Sequence, residues 1–312
     1  MPETPLVSVV LATFNGEEFI AQQLDSLISQ TYPTMEIIAV DDCSTDNTVT
    51  ILRDYAVKHN CIKLFVNETN LGFIKNFEKG CLLASGDFIS PCDQDDYWVP
   101  DKIQLMVAAI GDAPLIYCDS FVCNEQLQHN RNKISDLVNC RTWDNCLNYA
   151  VFARIYGHTL LFKKELLQHI VPFTEVIPHD WWIAYHASLQ GSVPFFPEAL
   201  VYYRQHPKNV FGIIGQKSKM QSVKTKPVQK RKLEIEKVRT RMQLFYHRCP
   251  PALQLEKQVL KKLHKSYSSF SLSNNFLRVY LFFKYRRFFL AVKKYSPLHQ
   301  VLFCLKMFVK IK

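Results

Sequence analysis

The chain has 312 residues, 48% hydrophobic and 21% charged, with a formal net charge of +10. That composition excludes a disordered chain and supplies apolar material for one large domain or two. The charge is split: residues 1–210 carry 14 Lys and Arg against 25 Asp and Glu, a net of −11, and residues 211–312 carry 24 against 3, a net of +21. This argues against wrapping of nucleic acid by the whole protein and leaves three readings of the basic last third: a solvated helical domain, a nucleic-acid surface or a membrane-surface element, the last preferred. In chain order, Leu6–Ala12 is a continuous Val-rich run, as in a strand buried on both faces of a parallel sheet. After the polar turn Thr13-Phe14-Asn15-Gly16, a helix is expected over Glu17–Gln30, ended by Tyr32-Pro33. Glu36–Val40 is a second strand closing in Asp41-Asp42, and Ser44-Thr45-Asp46 offers N-cap chemistry to a helix over Asn47–Lys58. Ile62–Val66 is a third strand, followed by the turn Asn67–Gly72 and a helix to Ala84. Asp87–Cys92 is a central strand, Pro100–Ile110 a helix and Pro114–Cys118 a further strand.

This alternation predicts an α/β protein with an open, mostly parallel central sheet and helices on both faces, whose ligands bind beyond the carboxyl ends of the strands. Asp41-Asp42 and Asp93-Gln94-Asp95-Asp96 lie at such ends. Clustered carboxylates raise each other's pKa unless a cation sits among them, so Asp93, Asp95 and Asp96 suit a hard cation such as Mg²⁺ or Mn²⁺. On these residues alone, an acidic turn capping the next helix is an equal reading. No Gly-x-Gly-x-x-Gly follows a strand, and no Walker A segment is present. From Asp119 to Leu147 the chain reads as polar loop. A strand is expected at Gly157–Leu161, a helix from the His179-Asp180 region to Leu189, and strand-like segments over Ser192–Tyr203. Trp181 and Trp182 read equally as core or as an acceptor platform.

Beyond Gly215 the character changes. Lys217–Lys232 reads as a mobile linker, with helices over Lys230–His247 and Leu253–Ser271 and an aromatic, basic end over Phe276–Lys312. Two domains are expected, 1–215 and a basic helical region 216–312. The ten cysteines show neither a Cys-x-x-Cys pair nor zinc spacing, and a signal peptide is not expected, since Met1–Pro5 has no basic region and acids follow soon. A cytoplasmic protein with reduced thiols is expected, and no run is long enough to span a bilayer.

Five segments in order carry a resemblance: Val9–Asn15, Val40–Thr48, Asn70-Leu71-Gly72, Ala84–Asp87, and Asp93–Asp96 with Trp98, Pro100 and Lys102. His179-Asp180 and Tyr203-Arg204-Gln205-His206 extend it. Together they resemble family 2 of the glycosyltransferases, enzymes of GT-A fold that use nucleotide diphosphate sugars. The form Asp-Gln-Asp-Asp-x-Trp is most similar to the rhamnosyltransferase-like branch of bacterial surface polysaccharide synthesis, including O-antigen and lipopolysaccharide. The resemblance implies that Thr13, Asn15, Glu17, Asp41 and Asp42 hold the nucleotide, with Asp93 near the ribose or the metal. It implies Asp95 as metal ligand, His206 or Arg204 on the metal or diphosphate, and Asp180 as the base of an inverting displacement. The implied partners are a dTDP- or UDP-sugar donor, a glycan or lipid-linked glycan acceptor, and the cytoplasmic membrane surface, met by residues 272–312. A non-catalytic nucleotide-sugar- or membrane-binding module is the alternative.

Overall fold

The computed structural model describes residues 4–152, 155–207, 209 and 227–309. The expected boundary at 215/216 and most of the expected linker Lys217–Lys232 lie outside them. Strands β1 (Val7–Thr13), β2 (Met35–Asp41), β3 (Ile62–Val66) and β4 (Phe88–Asp93) pair in parallel in the order β3-β2-β1-β4. Helices α1 (Ile20–Ile28), α2 (Thr48–Lys58) and α3 (Phe73–Leu83) connect them. The largely apolar sequence of β1 follows from burial on both sides. Val7, Val9 and Leu11 pack in one core with Leu24 and Leu52, whereas Val10 faces the other core with Ile74 and Phe77. Gly80 permits that second contact, since a Cβ there would lie 2.3 Å from Val10 Cγ1.

The far half of the sheet is mixed. It contains β5 (Tyr97–Trp98), β6 (Leu115–Cys123), β7 (Leu160–Lys163) and β8 (Phe195–Arg204), completing the order β3-β2-β1-β4-β7-β6-β8-β5. β7 runs antiparallel between β4 and β6, and β5 antiparallel on β8. The excursion from β6 returns to the sheet at the edge it left, so β7 must run back down; a parallel entry would need a crossover. The expected strand at Gly157–Leu161 therefore begins later, after a 3₁₀ turn at Gly157–Thr159. Within the expected loop Asp119–Leu147, β6 continues to Cys123 and a short helix α5 forms at Ile134–Leu137. Helix α4 is Lys102–Ile110, α6 is Leu167–Ile170 and α7 is His179–Ala187.

The last third is helical: α8 (Pro227–Arg248), α9 (Gln254–Tyr267), α10 (Leu272–Lys284), α11 (Arg286–Phe289) and α12 (Pro297–Lys306). These helices share a core with the sheet rather than standing apart. Phe245 of α8 stacks on Tyr185 of α7 at 3.9 Å, and the Tyr185 hydroxyl donates to the Phe245 carbonyl at 2.7 Å. Trp182 is core, while Trp181 is half-buried and donates from its indole to the Tyr149 carbonyl. Among the described residues no helix is long and apolar enough to cross a membrane.

One buried acid ties the sheet together below the ligand edge. Glu36 accepts from Ser8 Oγ (2.5 Å), from Ser85 N and Oγ (2.7 Å each) and from Lys63 Nζ (2.7 Å). Burial works to raise its pKa, but the bonds from Lys63, Ser8 and Ser85 outweigh it and bring the value down to about 2. A carboxyl depressed by folding adds stability that is present above its ordinary 4.5 and lost as pH falls through about 2. Glu36→Gln is expected to cost about 1.5–3 kcal/mol at neutral pH. It should also flatten the fall in urea midpoint between those two pH values; an unchanged acid limb would refute this role.

Candidate active site

The carboxyl ends of β1, β2 and β4 meet in a polar clasp. The Thr13 hydroxyl donates to Asp41 Oδ2 at 2.9 Å, and Ser44 donates to the same carboxylate from its N–H and its hydroxyl. Asn15 takes a left-handed backbone, φ 47°, and its amide oxygen accepts from Thr45 N at 2.8 Å. Glu17 accepts from Asn47 N and Nδ2. Thr13, Asn15, Glu17 and Asp41 are thus brought together by bonds that join the first two βα turns. The N-cap of α2 is Asn47, whose side chain makes no capping bond; Asp46 just before it accepts from Thr48 N, and Ser44 bridges the turns after β1 and β2. Asp42 is buried and accepts from Asn67 Nδ2 and Leu71 N on one oxygen and Gly72 N on the other. A carboxylate offers about four acceptor sites, so one remains on Oδ2.

The turn after β4 is locked to this clasp by Gln94, which accepts from Phe14 N at 2.8 Å and donates to Phe14 O at 3.0 Å. The Phe14 ring itself is exposed (45%) at the lip between β1 and β4. Asp93 and Asp95 face the cleft, while Asp96 is fully buried beneath them. Burial, then the charges of Asp95 and Asp93, push the Asp96 carboxyl well above the ordinary range. His158, from the Gly157–Thr159 turn, sits under the group: Nδ1 is 3.2 Å from Asp96 Oδ2 and 3.7 Å from Asp93 Oδ2, and Nε2 is 3.0 Å from Ser120 Oγ. Lys102 is buried beside it, donating to the His158 carbonyl at 2.8 Å over the Trp98 ring. Burial lowers its pKa to about 7.

Two of the implied metal-site residues are in contact. His206 Nε2 lies 2.8 Å from Asp95 Oδ2, and its ring packs on Phe19 at 4.8 Å. A carboxylate and an imidazole in contact at the cleft are ligand types that suit a divalent cation sharing phosphate oxygens. Asp93, Asp96 and His158 form a second group, with ligand atoms within 4.8 Å of one another, but two of its members are buried. Arg204 is placed differently from the implied role. Its guanidinium is buried, donating to the Asp95 carbonyl (2.7 Å), to Gln22 Oε1 (2.5 Å) and to the Glu125 carbonyl, and it stacks on Phe19. Its N–H donates to Asp96 Oδ1 at 3.0 Å. In this arrangement Arg204 holds the acidic turn in place instead of reaching into the cleft.

Asp180 opens α7 and is half-buried, its Oδ1 accepting from Trp181 N at 2.6 Å. Burial, with the nearby charge of Asp93, raises its pKa to about 7. The adjacent His179 is buried, stacks on Phe77 at 4.0 Å and is held neutral, its pKa pushed down to about 4 chiefly by burial. Gly157 makes room for it, because a Cβ there would lie 2.7 Å from His179 Nε2. The sequence reading missed His158, placed Phe14 only within the nucleotide-holding Thr13–Glu17 turn, and gave Gln94 and Lys102 no role of their own. His158 carries no local motif and is identified only by the fold that brings it under the acids. Gln94 lies inside the Asp-Gln-Asp-Asp run and could have been found there.

Comparison with known proteins places this geometry. The family described as Glycosyl transferase family 2 matches residues 8–171. An uncharacterized glycosyltransferase of Haemophilus influenzae is 29% identical over 222 residues, 66% of this chain and 67% of that protein. An uncharacterized protein of Mycobacterium bovis is 27% identical, and the match spans only 60% of its length. Among solved structures, TarS of S. aureus in complex with UDP-GlcNAc superposes with a TM-score of 0.58 at 19% identity, covering 98% of this chain and 81% of that one. The mannosyltransferase PcManGT of Pyrobaculum calidifontis, in complex with GDP-Man and Mn²⁺, gives 0.54 at 16% identity over 97% and 79%. The structural likenesses fix the GT-A fold, and by the family match over more than half of its length the chain belongs to the family 2 glycosyltransferases.

Proposed function

We propose that the protein is an inverting, metal-dependent glycosyltransferase that moves a sugar from a nucleotide diphosphate donor to a hydroxyl of a lipid-linked glycan at the cytoplasmic membrane surface. The observation that carries this reading is the acidic turn at the carboxyl end of β4, where Asp95 meets His206 at 2.8 Å and Asp93 faces the cleft, together with Asp180 at the start of α7, whose carboxyl is raised to about 7 chiefly by burial. A general base is most effective with a pKa near the working pH, and a direct displacement needs only one. Asp180 would take the proton of the acceptor hydroxyl as its oxygen attacks the anomeric carbon and the nucleoside diphosphate departs. Asp95 and His206, with Asp93, would hold Mg²⁺ or Mn²⁺, which supplies positive charge to the leaving diphosphate. Asp96, His158, Lys102 and Arg204 form the buried support that fixes those ligands. The donors bound by TarS and PcManGT support a nucleotide-sugar donor in general, and the sequence resemblance favours L-rhamnose on dTDP, with UDP-sugars next.

The direct test incubates the protein and Mn²⁺ with dTDP-rhamnose or a UDP-sugar and a membrane lipid extract, reading nucleotide release and the anomeric configuration of the product. Product of inverted configuration supports the reading, and retained configuration sinks it. A second expectation concerns Phe14, whose exposed ring beside the nucleotide turn offers a stacking face to the base. Stacking on an aromatic is worth about 1–3 kcal/mol per base, so Phe14→Ala should weaken nucleotide diphosphate binding about 5- to 150-fold. Isothermal titration giving equal affinities for the two proteins would remove Phe14 from the site.

A further inference from the structure

Away from the cleft, the turn after α5, α11 and the start of α12 enclose a cavity of about 570 Å³ whose charged lining is wholly basic. Arg141, Arg286, Arg287, Lys293 and Lys294 line it, and no carboxylate does. Among the described residues Arg141, Arg286, Arg287 and Lys294 form no ion pair. Arg286 and Lys294 donate only to the backbone carbonyls of Phe283 and Asp136, and Arg141 lies over the Trp143 ring. Convergent cations lacking anionic partners repel one another, and an anion among them removes that cost. The sequence keeps carboxylates away, since residues 257–312 contain neither Asp nor Glu.

Gln300 of α12 also lines the cavity, and α12 turns an apolar face outward. Leu298, Val301, Leu302 and Leu305 are exposed by 67, 38, 44 and 53%. At 3.6 residues per turn these four fall on one stripe, and the opposite face buries Cys304 and packs Phe303 on the core. The stripe continues beyond α12: Phe308 meets the exposed Phe276 of α10 edge-on at 5.1 Å. An apolar helix face in a segment that carries many cations and, over residues 257–312, no carboxylate is the pattern of a helix lying in a bilayer interface.

We infer that the outward face of α12 lies in an anionic lipid leaflet, with lipid phosphate groups held in the Arg141–Arg286–Arg287–Lys294 cavity. This deepens the membrane-surface part of the proposed function and rests on that part alone. An acidic protein partner would satisfy the cations but leave the Leu and Val stripe to find its own complement; a leaflet satisfies both.

The test is sedimentation of the full chain with vesicles of phosphatidylcholine alone or with 30% phosphatidylglycerol. The variants are Arg286→Gln with Arg287→Gln and Lys294→Gln, and, separately, Leu302→Ser with Leu305→Ser. Each cation near an anionic surface contributes about fivefold in affinity, so the triple variant should bind anionic vesicles about a hundredfold more weakly. The double variant should lose binding about tenfold or more. Both should keep the wild-type melting temperature and donor-nucleotide affinity, because all five positions are exposed and outside the cleft. The inference is overturned if wild type shows no preference for anionic vesicles, or if either variant binds them as wild type does. It is also overturned if inorganic phosphate saturates the cavity at micromolar concentration while vesicles do not bind, or if the Leu stripe instead sets a concentration-dependent dimer. Nucleotide binding measured on the same samples separates any such failure from failure of the transferase reading.

Discussion

Asp180→Asn is expected to reduce turnover about a thousandfold while leaving donor-nucleotide affinity within about twofold of wild type, the usual reach of a positioned general base being 10²–10⁴. The substitution keeps size and the acceptor oxygen that caps Trp181 N, so the start of α7 should survive it. What it removes is proton affinity at one atom. The wild-type pH profile gives an independent check. The folded-state pKa of about 7 lies well above the ordinary 3.8, chiefly because burial disfavours the charged form. Asp180 is therefore protonated below pH 7 and becomes a base above it. The acid limb of kcat/KM, which reports the free enzyme, should rise through about pH 7, and the residual rate of Asp180→Asn should lack that limb. The same shift acts on stability with the opposite sign: a carboxyl raised by folding favours the folded state below pH 4 and loses that contribution as pH rises through about 7. Loss of nucleotide binding in Asp180→Asn, or a limb unchanged by it, would assign Asp180 to binding or structure instead.

The half of the chain that binds the nucleotide was legible because its physics is local. Leu6–Ala12, apolar but for Ser8, and Ile37–Val40 after Glu36 are runs that suit a doubly covered parallel strand, and Ile62–Val66 is bounded to the residue. The acidic turns were legible because carboxylates concentrated at strand ends have few structural uses. Elsewhere the determining contacts are distant in sequence. β7 owes its antiparallel course to where the chain re-enters the sheet, which the polar run before it does not encode. β5 has two residues, too few for any period, and exists because Tyr97 and Trp98 pair with Tyr202 and Val201. β8 pairs with β6 through register slips around Asp119, so its alternation is broken where a pattern would be sought. The roles of His158 and Arg204 depend on a shared partner, Asp96, 62 and 108 positions away, and a polar residue's sequence neighbourhood does not state whether its tip meets solvent or a buried carboxylate. For the same reason the clasp of Asn15, Glu17 and Asp41 reads in sequence as ligand contacts, whereas each side chain here already holds a neighbouring turn.

Asp95→Ala carries the second large expectation: loss of metal-dependent nucleotide binding with the fold intact. The fold should survive because what Asp95 gives Arg204 is its backbone carbonyl, which alanine keeps. Among the described residues the Asp95 side chain meets His206 at the cleft, so its removal takes one carboxylate from the donor set and one contact from the imidazole. A ligand that binds only the folded state stabilises it by about 2.7 kcal/mol at a hundred times its Kd, enough to raise Tm by several degrees. Wild type should show such a rise with dTDP or UDP in Mn²⁺ and not in EDTA, and Asp95→Ala should show none in either. His206→Ala should reduce the rise without abolishing it, since carboxylates remain the stronger partners of a hard cation. The competing site is distinguishable in the same assay. If Asp95→Ala retains the metal-dependent rise and His158→Gln loses it, the cation belongs with Asp93, Asp96 and His158, the buried set whose ligand atoms already lie within 4.8 Å. That outcome would make Asp95 and His206 a closing contact over the donor, and it would place the leaving diphosphate deeper in the cleft, nearer the turn that carries Gly157 and His158.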